Sequence, residues 1–209
     1  MNNTFTNLGD VARLIGEASA GKPRIIVGIA GPPAAGKSTI AAKLVQLLGP
    51  TSIAFGMDGF HLPQATLARL GRRERMGAPD TFDVDGFVDT LARIRNDGDP
   101  VSIPGFDRRI EEPTPNESIV TPSFRKVVVE GNYLLGEFGG WERVAPLLDL
   151  SFFVRVEHDI RVRRLIARHI EFGKTPDAAA AWAAGPDADN ARLIGATAGR
   201  ADHLIDVAL

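Results

Sequence analysis

The chain has 209 residues, a formal net charge of −2, no cysteine, 44% hydrophobic and 24% charged residues. That is the composition of one ordinary globular domain. The near-neutral charge argues against a dedicated nucleic-acid binder, and the missing cysteines exclude disulfides and thiolate metal sites. No apolar run approaches the ~20 residues of a membrane span.

The opening stretch MNNTFTNLGD has neither a basic segment nor an apolar core of the secretory kind, so the expected location is the cytoplasm. Val11, Leu14, Ile15 and Ala18 recur at helical spacing and predict a leading helix over residues 9–20. Residues 24–30 form a short β-branched run, the pattern of a buried strand. A glycine-rich turn follows, then a helix through Ile40, Leu44, Val45 and Leu48 that Gly49-Pro50 ends.

Residues 51–57 read as a second strand that stops at Asp58. Residues 59–82 are irregular, and 84–95 are helical. The proline-rich stretch 96–124 predicts an extended, looped excursion. Strands are expected again at 127–129 and 150–156, followed by a helix over 159–172. Residues 173–190 are alanine-rich with Gly and Pro breaks, 190–200 are helical, and 203–208 form a last strand.

Strands alternating with helices imply right-handed crossovers and a mainly parallel five-stranded sheet in a three-layer α/β/α arrangement. The expected organisation is a single domain, 1–209, with substrate-side loops at 59–125 and a lid region at 157–190. Ligands of such sheets bind at the carboxyl ends of the strands.

Gly31-Pro32-Pro33-Ala34-Ala35-Gly36-Lys37-Ser38, followed by Thr39, matches G-x-x-x-x-G-K-[ST] in full. The strand before it and the helix after it are the context this phosphate-binding P-loop requires. Small residues let backbone N–H groups wrap phosphate oxygens at a helix start. Lys37 is placed for the β- and γ-phosphates and Ser38 for Mg²⁺. The motif predicts a nucleoside triphosphate with Mg²⁺, and leaves the reaction open.

Asp58 reads equally as a base that takes a proton from an acceptor hydroxyl and as a turn aspartate before Gly59. Glu130, ending an apolar strand, is a candidate on the metal side, against a strand-end carboxylate with no ligand. Arg161, Arg164 and Arg168 line one helical stripe at i, i+3 and i+7. They read either as a lid over phosphate or as a solvated basic face. His169 shares the apolar face and reads as a packed core histidine.

The P-loop, Met57-Asp58-Gly59-Phe60, Glu130-Gly131-Asn132, and Arg164 with Arg168 together resemble the phosphoribulokinase/uridine kinase group of P-loop kinases, which includes prokaryotic-type pantothenate kinase. The resemblance runs from about residue 24 to 206. The chain is also similar to bacterial proteins labelled fructose transport system kinases or nucleoside/nucleotide kinase family proteins. Gly77-Ala78-Pro79-Asp80-Thr81-Phe82-Asp83 resembles the substrate-side G-x-P-E-S/T-[YF]-D stretch of pantothenate kinase. Phe106-Asp107-Arg108 is similar to the segment that borders the acceptor in uridine kinases.

The resemblance implies ATP and Mg²⁺, Asp58 as the base, Ser38 and Glu130 on the metal, and Arg164 and Arg168 over the transferring phosphoryl group. Arg161 stays a solvated arginine. Asp83, Asp107 and Arg108, with Arg72, Arg73 and Arg109, become acceptor-side candidates. The implied activity is transfer of the γ-phosphoryl group of ATP to a hydroxyl of a small molecule, a sugar such as fructose, or uridine or pantothenate. Uridine kinases carry Asp-Ser-Phe-Tyr where this chain has Asp58-Gly59-Phe60-His61, and pantothenate kinases of this type are longer. The expected partner is the small-molecule acceptor, with no nucleic acid and no membrane, and a homodimer is compatible with the sequence. A GTPase switch would need an Asn-Lys-x-Asp segment, which the sequence lacks. A non-catalytic nucleotide sensor would have no use for a base at Asp58.

Overall fold

The structure is a computed structural model and describes residues 3–96 and 98–206. Its elements run in chain order as β1 (Asn3–Phe5), α1 (Leu8–Ala18), β2 (Ile25–Ala30), α2 (Lys37–Leu48) and β3 (Ser52–Gly56). Then come α3 (Gln64–Arg69), α4 (Val84–Arg95), β4 (Val101–Asp107), β5 (Glu112–Val120) and β6 (Lys126–Gly131). The chain closes with β7 (Leu150–Val154), α5 (His158–Glu171), α6 (Pro176–Ala184), α7 (Pro186–Gly195) and β8 (His203–Ile205).

The main sheet has six strands in the order β1-β8-β7-β2-β6-β3, and every adjacent pair is parallel. All of β2 is buried, as an unbroken apolar run requires when helices cover both faces of a sheet. On one face Val11 and Ile15 of α1 pack with Ile40 and Leu44 of α2. On the other, Phe87 and Leu91 of α4 pack with Met57, Tyr133 and Trp141. These two cores make the three layers.

The sheet has one strand more than the five expected. The addition is β1, which pairs with β8 in parallel. It is three residues long with a single large apolar side chain, Phe5, too little for any periodicity. The strand expected over 203–208 is His203–Ile205, and 207–208 lie outside the described residues.

Within 96–124, residues 101–120 are not a loop but an antiparallel two-stranded ribbon, β4 with β5. Its prolines are tolerated because each strand has an open edge where a missing N–H costs nothing. Pro104 falls where the register shifts between Ile103 and Gly105. Residues 173–190 also fold further than expected, into α6 and α7. Pro176 and Pro186 lie in the first turn of each helix, where proline starts a helix rather than breaking it. Among the described residues no helix is long and apolar enough to cross a membrane.

Candidate active site

The site lies at the carboxyl ends of β2, β3 and β6. The backbone leaves β2 and enters α2 through Ala34 at φ 63 and Gly36 at φ 92, both left-handed. Such turns aim successive N–H groups inward, and Gly36 caps α2 with no side chain over its first N–H groups. Of the expected loop residues, Pro33, Ala34, Gly36, Lys37, Ser38 and Thr39 line the cleft. Gly31 and Ala35 are buried supports, and the Pro32 carbonyl serves the lysine.

The Lys37 ammonium is buried and donates to Asn132 Oδ1 at 2.7 Å and to Pro32 O at 3.1 Å. Burial pushes its pKa down to about 8, even though Glu130 and Asp58 pull the other way. The Ser38 hydroxyl donates to Glu130 Oε1 at 2.7 Å. Burial raises the Glu130 carboxyl above its usual range, against the attraction of Lys37. Ser38 and Glu130 thus present hard oxygen donors together beside the loop, a set that suits Mg²⁺ held jointly with phosphate oxygens. No cluster of three His, Cys, Asp or Glu side chains forms a metal cage among the described residues.

Asp58 is the second residue of the short 3₁₀ turn Met57–Phe60 that follows β3. Its Oδ2 is paired with the Arg108 guanidinium, which the β4–β5 ribbon delivers. Burial, the largest single influence, would raise the Asp58 carboxyl. Arg108, His61, Lys37 and Arg168 together outweigh it and hold the group below the usual carboxylate range. Gly59 is what lets the ribbon come so close: a Cβ there would lie 2.1 Å from Pro104 O. The turn reading of Asp-Gly and the base reading are therefore compatible, since the glycine brings Arg108 to the aspartate.

Helix α5 forms the opposite wall. Arg164 and Arg168 line the cleft, and burial chiefly lowers the Arg168 pKa. Two expectations on this helix are corrected. Arg161 is not a solvated arginine: it is 4% exposed, and its Nη1 has no hydrogen-bond partner among the described residues. Helices α6 and α7, whose starting prolines read as breaks, fold back against α5; Arg161 and Asp187 of α7 attract each other electrostatically. His169 is not a core histidine either. Its Nε2 lies 2.7 Å from Asp187 Oδ2, joining α5 to α7 at the cleft wall.

On the acceptor side, Arg73 and Arg108 line the cleft. The other candidates are engaged elsewhere. Asp83 caps α4, accepting from Gly86 N at 3.0 Å. Asp107 pairs with Arg109 at 2.9 Å, and Arg72 with Asp80 at 3.3 Å. The stretch 77–83 is anchored to the aromatic core by Tyr133 donating to Gly77 O at 2.6 Å and by Trp141 Nε1 donating to Pro79 O at 3.1 Å. Residues the sequence reading gave no role also reach the cleft: Asn132, His61, Glu111, Lys174 and Trp182. The Lys174 ammonium is 4.8 Å from the Trp182 ring centroid and 3.9 Å from Glu111, so it bridges the lid and the ribbon. Of these, Asn132 carried a sequence signal, following Glu130-Gly131 at the strand end, and so did His61, closing Asp58-Gly59-Phe60-His61.

The cleft has a volume of about 710 Å³. A phosphate cradle, a buried lysine, a Ser–Glu pair, a carboxylate and two arginines therefore share one pocket large enough for a nucleotide tail and a second small molecule.

The profile of the Phosphoribulokinase / Uridine kinase family matches residues 26–207. An ATP-dependent kinase-like protein, notR', of Aspergillus versicolor is 38% identical over 133 residues, 60% of this chain and 77% of that protein. A pantothenate kinase of Leifsonia xyli is 32% identical over 67% of this chain, which spans only 45% of that enzyme. Among solved structures, a "putative fructose transport system kinase" from Silicibacter sp. TM1040 superposes with a TM-score of 0.85 at 33% identity, covering 96% of this chain and 99% of that one.

Proposed function

Because this chain belongs to the Phosphoribulokinase / Uridine kinase family of P-loop kinases, we propose that it transfers the γ-phosphoryl group of ATP to a hydroxyl of a small molecule, with a sugar such as fructose as the foremost acceptor. The observation that carries this reading is the position of Asp58, one turn beyond β3 and in the same cleft as Lys37 and the Ser38–Glu130 pair. The sugar is favoured by the likeness to the Silicibacter protein.

In this reading the loop N–H groups and Lys37 hold the β- and γ-phosphates, and Ser38 and Glu130 hold Mg²⁺. Bound there, the ion neutralises charge on the phosphate oxygens. Arg108 fixes one oxygen of Asp58, leaving Oδ1 for the acceptor hydroxyl. The acceptor oxygen attacks the γ-phosphorus, its proton passes to Asp58, and the bond from phosphorus to the β–γ bridging oxygen breaks to leave ADP. A carboxylate of lowered pKa suffices, because phosphoryl transfer runs through a loose transition state in which positioning matters more than deprotonation. Arg164 and Arg168 neutralise the transferring group and exclude water.

ADP release measured with D-fructose, uridine and pantothenate tests this. The expected result is strong stimulation by one of them. Tight ATP binding with no stimulation by any acceptor would remove the kinase reading.

A further inference from the structure

Asn132 has no role in the reaction just described, yet it stands where that reaction must take place. In the sheet, β6 lies between β2 and β3. Strand β2 leads into the phosphate loop, and β3 leads into the turn that carries Asp58. The register pairs Gly131 with Ala30 and Glu130 with Gly56. Asn132 therefore comes level with Gly31 on one side and with Asp58 on the other. A phosphoryl group that moves from the loop to an acceptor at Asp58 passes over this end of β6.

The backbone holds Asn132 in that place. Its N–H donates to the Met57 sulfur at 3.1 Å, and a Cβ on Gly131 would lie 2.4 Å from the same sulfur. The strand end is thus packed against the residue before Asp58. The next residue, Tyr133, is buried and donates to Gly77 O at 2.6 Å.

The side chain has one defined orientation. An ammonium only donates, so the atom 2.7 Å from Lys37 Nζ is the amide oxygen, and Nδ2 with its two hydrogens points the other way. Nδ2 has no partner among the described residues and is not sealed from solvent, so it opens onto the cleft that Asn132 lines. Lys37 uses two of its three N–H groups on Asn132 and Pro32 O, which leaves the third for a phosphate oxygen. Asn132 thus sets two neutral donors beside the charged one. Donors fixed before charge moves need no reorganisation when it does.

We infer that Asn132 is a further catalytic residue: its Nδ2 donates to an oxygen of the transferring γ-phosphoryl group, while its Oδ1 steers Lys37. ADP has no group at that place, so Asn132 separates the triphosphate from the diphosphate. This rests on the kinase reading above, and one arm of its test needs no acceptor.

The first arm is titration calorimetry of the full chain in the presence of Mg²⁺, with ADP and with the β,γ-imido analogue of ATP. Asn132→Asp has the same shape and keeps an oxygen for Lys37, but loses the donor. Asn132→Leu loses both. Each should weaken the imido analogue about 10–100-fold more than ADP. An unchanged ratio of the two affinities in either variant overturns the inference, because Asn132 would then serve Lys37 alone, and leaves the kinase reading intact. The second arm is kinetics with D-fructose, or with uridine or pantothenate if one of those proves the better substrate. Asn132→Leu should lower kcat about 10²-fold with the acceptor KM unchanged. A wild-type kcat in Asn132→Leu overturns the catalytic role. If the wild type phosphorylates no acceptor, the kinase reading falls, and the calorimetry still decides whether Asn132 touches the γ-phosphate.

Discussion

Lys37 offers the sharpest prediction because its charge is conditional. In the free protein its ammonium is held by two neutral oxygens, of Asn132 and Pro32, and burial lowers its pKa from 10.5 to about 8. Triphosphate oxygens would return it to at least its ordinary value. The sign follows directly. The bound form holds a proton that the free form loses above pH 8, so affinity must fall as pH rises through that value. At pH 9 roughly nine-tenths of free Lys37 is neutral, so ATP should bind about tenfold more weakly than near pH 7.5. Binding at pH 9 should also take up about one proton. Titration calorimetry in buffers of different ionisation heat measures both quantities. Lys37→Arg, whose guanidinium stays charged throughout, should bind ATP with an affinity flat across this window. Wild-type affinity constant from pH 7.5 to 9, with no proton uptake, would refute the reasoning.

Three further outcomes follow from neighbouring contacts. Gly59→Ala forces a Cβ to within 2.1 Å of Pro104 O, so it should lower stability by about 1–3 kcal/mol in thermal unfolding and raise the acceptor KM as the ribbon shifts. Arg108→Ala removes the cation that most lowers the Asp58 pKa, so the acid limb of the kcat profile should move to higher pH; an unmoved limb would show that Arg108 does not tune the base. Arg161→Met replaces a guanidinium that is 4% exposed and has an unpaired Nη1, so stability should stay equal or rise by about 1 kcal/mol in denaturant unfolding. A loss of more than about 1 kcal/mol would mean that Arg161 is satisfied by its attraction to Asp187.

The parts of the site that sequence reveals are those whose chemistry is local. The P-loop is one contiguous stretch between a strand and a helix, and Asp58 and Glu130 stand out because each ends an apolar strand. What stays hidden depends on contacts across long separations. Asn132 meets Lys37 from 95 residues away, and Arg108 meets Asp58 from 50. The β4–β5 ribbon that brings Arg108 in reads as a loop, because its prolines count against a strand until an open edge excuses them.

Asp83 shows a different limit: a helix N-cap and a substrate carboxylate look alike in one dimension, and the bond from Gly86 N shows that Asp83 caps α4. The burial of Arg161 and the engagement of His169 by Asp187 both follow from α6 and α7, whose starting prolines read as breaks.

The central claim is that Asp58 acts as the base for phosphoryl transfer to a hydroxyl. Transfer of labelled γ-phosphate from ATP to D-fructose, uridine or pantothenate, by wild type and by Asp58→Asn, tests it most directly. The wild type should label one of these acceptors. Asp58→Asn should keep the ATP affinity and lose transfer by about 10²–10⁴-fold. Transfer by Asp58→Asn at the wild-type rate would contradict the account.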